Sequence, residues 1–179
     1  MHVGAKKMAI SGILLAFTII CMFLGGVIET NTLFLLAAAS YFVGIIQREF
    51  GLKFGWAFWI AAIALGFILV PNKFYVLSYS GMGLYILLIE AAWKLLGNHP
   101  EIGKREKLFW LIKYIIFNLM YFPAVLGFQQ ILFGKTLTGM VLVGVLAAGQ
   151  FGLFFYDRAY EYVQANVWRK MRGRLLGNE

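Results

Sequence analysis

Cysteine occurs once in the 179 residues, at Cys21, so the chain cannot close a disulfide on itself. Its place inside an apolar run marks it as a small packed side chain rather than a nucleophile. Histidine occurs twice, as His2 in a terminal segment and His99 in a loop, without metal-ligand spacing. No HExxH, GxSxG or glycine-rich phosphate loop is present, so neither hydrolytic nor metal chemistry nor ATP hydrolysis has a motif behind it. The chain therefore reads as a non-enzyme that needs no cofactor. Charge is scarce as well: 13% of the residues are charged, against about 25% in a soluble domain. What stands in its place is 61% hydrophobic residues, 17% of the chain being aromatic. That balance predicts an integral membrane protein with no separate soluble domain.

A bilayer core about 30 Å thick takes about 20 mostly apolar residues per helix. Hydropathy predicts a single all-α transmembrane domain over 1–179, a six-helix bundle with spans near 8–28, 33–46, 54–70, 75–96, 108–133 and 137–156. The first run is too long for a signal-peptide core and is read as a retained span. Pro71 and Gly134 are natural stops, and Gln47 to Lys53 reads as the connection between the second and third spans. If the N-terminus is inside, 14 of the 16 basic residues fall on the inner side and only Lys73 and Lys135 on the outer. Basic flanks stay in the cytoplasm, which predicts a multi-pass protein of the cell membrane with both termini cytoplasmic. The net charge of +8 is then a matter of orientation, and nucleic acid is excluded as a partner for want of any motif. Residues 158–179 continue as a basic amphipathic helix, with Tyr160, Val163, Val167, Met171 and Leu175 at steps of three or four, expected on the anionic inner leaflet or on a partner.

On the outer side this topology gathers polar groups from three connections. Glu29 and Asn31 lie in the first loop, Asn72 and Lys73 in the second, Tyr75 and Tyr79 follow on the next helix, and Gln129 and Gln130 close the fifth span. Together they offer charge, amide and aromatic contacts suited to a small organic ligand. Each also has an ordinary reading: a solvated carboxylate, a helix cap, a turn or an interface anchor. Within the spans, Asn118 and Gln150 are costly to bury alone and are expected to bond across helices. Glu90 stands four residues before Lys94, which suffices for an ion pair within one helix.

Small residues one turn apart, Gly12 with Ala16 and Ser40 with Gly44 among them, mark close helix approach, and Ala5 and Ala9 extend the first pair into a stripe. The first span, Lys6 to Ala16 (KKMAISGILLA), together with PNKFY at Pro71 to Tyr75, GMGLY at Gly81 to Tyr85 and KYIIFNL at Lys113 to Leu119, resembles the substrate-binding S components of energy-coupling-factor transporters and related uncharacterised firmicute membrane proteins. The resemblance runs over nearly the whole chain. It implies a vitamin- or micronutrient-like ligand captured at the external face and energy supplied by a coupling subunit and two ATPase subunits. It further implies that Ala9, Gly12 and Ala16 dock on the coupling subunit. A small membrane scaffold or assembly factor, binding other membrane proteins through its basic tail and small-residue stripes, is the alternative.

Overall fold

The computed structural model describes residues 2–97, 102–127, 129 and 139–175. Six helices there are long and apolar enough to cross a membrane. They are α1 (His2–Val27), α2 (Thr32–Phe50), α3 (Leu52–Leu69), α4 (Lys73–Leu96), α5 (Ile102–Gly127) and α6 (Gly139–Tyr162). No strand occurs among the described residues, and the protein is an all-α six-helix membrane bundle.

Connections are short where they are described. A 3-10 turn at Glu29–Asn31 joins α1 to α2. One residue, Gly51, separates α2 from α3. Its φ of +95° lies in the region that glycine enters without steric cost, so the chain reverses there with no loop. Asn72 caps α4, its side chain accepting a hydrogen bond from the Phe74 N–H at 3.0 Å. For α5 and α6 the cross-helix bonds run Lys113 to Asp157, Asn118 to Gln150 and Tyr121 to Val145, a descending series against an ascending one, so these helices are antiparallel. Lys7 of α1 lies over the Phe50 ring at the end of α2, and Trp168 bonds to Glu49 there, so the first helix and the last described one meet at one end of the bundle, its basic end, with Arg48, Lys113 and Arg158.

The main core lies between α1, α2, α3 and α4, around Met22, Leu36, Val43, Ile46, Phe58, Ala62, Val76 and Leu87. A second, more polar core joins α2 and α4 to α6 through Tyr41, Tyr85, Ile86, Ile89, Leu153 and Tyr160. Gly44 makes that junction close. A Cβ there would sit 2.8 Å from Ile86 Cγ2 and 2.7 Å from Tyr160 Cζ, so any larger residue would push α6 away. Ser40 and Gly44 thus serve internal packing. Large apolar side chains such as Ile20, Phe34, Ile68, Leu119 and Phe155 point outward on all sides, as a surface solvated by lipid requires.

α1 and α5 begin six residues before the hydropathy reading, at His2 and Ile102, and two further boundaries differ for one reason. α2 runs on through Gln47, Arg48 and Glu49, which had read as a loop, because the charges of Arg48 and Glu49 are met inside the bundle. The helix after the sixth span is likewise not an appendage. α6 passes through a π-helical stretch, Val163–Trp168, into α7 (Arg169–Leu175). Its wider turn aims Gln164 and Trp168 inward, where both are buried. Trp168 Nε1 donates to Glu49 at 2.9 Å and Arg172 Nε reaches the same carboxylate at 3.0 Å, so one face of the tail packs back on α2.

Candidate functional site

The described ion pairs gather at the basic end. Arg48, at the end of α2, donates from Nε and Nη2 to the two oxygens of Glu90 on α4, at 2.8 and 2.5 Å. This is the fork geometry in which guanidinium and carboxylate bind most strongly. Tyr160 on α6 donates to the same Glu90 at 2.7 Å, accepts from Gln164 at 3.1 Å, and offers its ring to Arg48 at 5.2 Å. Glu90 therefore belongs to α2 and α6, not to Lys94.

A second group lies beside it. Lys113 on α5 donates to Asp157 at 2.8 Å and to Glu161 at 2.7 Å, one turn apart on α6. Lys113 is 2% exposed and Asp157 not at all. Tyr85 adds a long bond to Asp157 at 3.4 Å, and the faces of Phe109 and Trp110 lie 4.4 and 5.2 Å from the Lys113 ammonium. Lys113 stands seven residues inside the apolar stretch that begins at Glu106, about 10 Å along the helix at 1.5 Å per residue. At that depth an unpaired charge would cost several kcal/mol, so each cation takes carboxylates from a neighbouring helix.

These pairs are not sealed. A cleft of about 580 Å3 opens between α2, α4, α5 and α6, with Arg48, Glu90, Lys113, Arg158, Tyr160 and Glu161 supplying its polar lining and Trp93, Phe109 and Trp110 its apolar wall. Glu106 stands exposed at its rim. A smaller hollow of about 380 Å3 lies beyond Arg48, Glu90 and Trp93, which form the partition. A cleft of this size with a few convergent polar groups suits a small organic ligand.

The outer cluster expected from sequence is placed differently. Asn72 is spent on its cap, and Lys73 Nζ donates to the carbonyls of Phe67 and Val70 at 2.6 and 2.7 Å, closing the end of α3. Tyr75 packs half-buried against Gly26 of α1. Tyr79 is fully buried in the main core, its hydroxyl without a hydrogen-bond partner among the described residues. Asn31 is exposed in the 3-10 turn and Gln129 is half-buried. Gln130 and the side chain of Glu29 lie outside the described residues. The polar groups of Asn72 and Lys73 thus turn to the backbone, and Tyr75 and Tyr79 wall the core rather than a pocket.

Asn118 and Gln150 do bond across helices, Gln150 Nε2 donating to Asn118 Oδ1 at 2.8 Å. Ala9, Gly12 and Ala16 are exposed on one side of α1, and nothing lies within 4 Å of a Cβ built at Gly12. The residues that reading by segments passed over are Arg48, Lys113, Asp157 and Glu161. The first two count as inner flanks in a charge tally. A signal was nonetheless present: the sole aspartate ends the sixth apolar run with a glutamate one turn on, and a lone lysine lies inside the fifth run. Comparison with protein-family models, with curated proteins and with solved structures finds no match.

Proposed function

We propose that the protein is the ligand-binding subunit of a membrane transport system, taking a small organic molecule into the cleft at its basic end. The observation that carries this reading is the cleft itself, open and lined by titratable side chains on helices long and apolar enough to cross a membrane. Ionisable groups on such helices are costly and mark ligand or ion pathways by default. The basic asymmetry orients that end toward the cytoplasm of the cell. With no ATPase motif in the sequence, energy would come from an ion gradient or from partner chains, and this reading takes partner chains. The proposed system matches an energy-coupling-factor transporter in its division of labour, with the chain as S component. It differs in where the described polar groups collect, since of the eight residues expected at an external site Asn72 and Lys73 bond to backbone and Tyr79 is buried in the core.

The partner surface of this reading is the outward side of α1, where Ala9, Gly12 and Ala16 leave the backbone open to close approach by a coupling subunit. Affinity purification from native membranes tests it. Wild type is expected to carry a membrane-embedded coupling chain and ATPase subunits, and Gly12→Leu to lose them while inserting and folding normally. Recovery of some other membrane complex and no ATPase would favour the scaffold or assembly-factor reading instead.

A further inference from the structure

A count of donors and acceptors around the cleft separates groups that are spent from groups that are not. Glu90 has both oxygens occupied, by Arg48 and Tyr160. Lys113 is divided between Asp157 and Glu161 and is almost wholly buried. Glu90 and Lys113 thus have little left for a ligand; with three cations, Arg48, Lys113 and Arg158, against four carboxylates, Glu90, Glu106, Asp157 and Glu161, the cleft is set apart by which donors stay unbonded and not by its net charge. The two guanidiniums are different. Arg48 uses Nε and Nη2, its Nη1 has no partner among the described residues, and its side chain is 41% exposed. Arg158 is 71% exposed, and its one ion-pair contact among the described residues, to Glu161, is long at 3.9 Å. A guanidinium carries five N–H donors in a planar fork that matches carboxylate and phosphate oxygens. Phe109 and Trp110, with Trp93, give the same cleft an aromatic side.

From this we infer that the cleft takes an anion, a phosphate or carboxylate borne on an apolar or aromatic body. The oxygens meet the unspent edges of Arg48 and Arg158, and the body lies against Phe109 and Trp110. Glu106 and Glu161 in the same lining disfavour a second negative group, which favours one anionic group per ligand. This assignment rests on the cleft being the ligand site, as proposed above, and adds the charge of what enters it. The anion can come from a soluble metabolite or from the headgroup of an anionic phospholipid, which at the basic end is the natural neighbour.

Binding is measured on the full chain, purified in a neutral detergent, through the fluorescence of the cleft tryptophans. The probes are hexyl phosphate, hexanol and hexyltrimethylammonium, which share a tail and differ in charge. Hexyl phosphate is expected to bind saturably, with hexanol and the ammonium probe at least about tenfold weaker, the loss of one charge-assisted contact. Arg158→Gln, at an exposed position that folding does not need, is expected to weaken hexyl phosphate by about tenfold as well. Unchanged affinity in Arg158→Gln, or equal binding of hexanol, overturns the anion assignment. Preference for the ammonium probe overturns it too, while leaving the cleft a ligand site. Absence of binding by all three overturns both. Nanodiscs then separate the sources, both being anionic: phosphatidylglycerol that competes with hexyl phosphate, where phosphatidylcholine does not, assigns the site to a lipid, and lack of competition assigns it to a soluble molecule.

Discussion

Lys113→Met is expected to lower stability by about 3 to 5 kcal/mol, the usual cost of removing one partner from a buried ion pair. Methionine keeps most of the length and apolar stem of lysine, so packing against Phe109 and Trp110 survives and the loss is electrostatic. What remains is the carboxylate of Asp157, fully buried, with one long bond from Tyr85 in place of an ammonium. Asp157→Asn is expected to be milder, at about 1 to 3 kcal/mol, because Lys113 keeps Glu161. Combining the two changes should recover most of the loss, since no buried charge is left without its partner. Thermal unfolding of the purified protein in detergent reads all three. An unaltered midpoint for Lys113→Met would mean that Asp157 has another partner or is solvated.

The second large effect concerns Glu90, which holds α2 and α6 at once. Glu90→Ala removes the acceptor of Tyr160 and both acceptors of Arg48. Arg48 is part-exposed and regains water, which limits its share. Tyr160 is buried and regains nothing from solvent. A loss of about 1 to 3 kcal/mol follows, mostly from the orphaned hydroxyl. Tyr160 also accepts from Gln164, so the π-helical stretch should loosen with it. Trypsin reports that step, because Arg169, Lys170 and Arg172 lie just beyond: Glu90→Ala should be cut there several times faster than wild type, and Glu90→Gln, which keeps an acceptor for Tyr160, should be intermediate. Equal cutting in all three would detach the tail from Glu90.

The helices were legible because the bilayer imposes one simple rule, and runs of apolar residues report it directly. The ends of those runs were less so. Gln47, Arg48 and Glu49 look like a loop as long as their charges are assumed to face water, and become helix once Glu90, Trp168 and Arg172 are known to meet them. The tail shows the same limit. Its apolar stripe was visible, but whether Tyr160 and Trp168 face lipid or the bundle depends on partners more than a hundred residues away, such as Glu49. Polar pairs inside the spans were foreseeable where no alternative existed, as for Asn118 and Gln150. In the outer cluster, loop position says where a side chain starts and not what it bonds. Lys73 and Asn72 turn back onto the backbone that brings them there.

The central claim is that the ligand site is the cleft at the basic end. A density map of the protein extracted with its native lipids, at a resolution that shows side chains, tests it most directly. The account predicts extra density inside the cleft, its polar end against Arg48 and Arg158 and its body along Phe109 and Trp110. An empty cleft, with density instead beside Tyr75 and Asn31 at the opposite end, would contradict it.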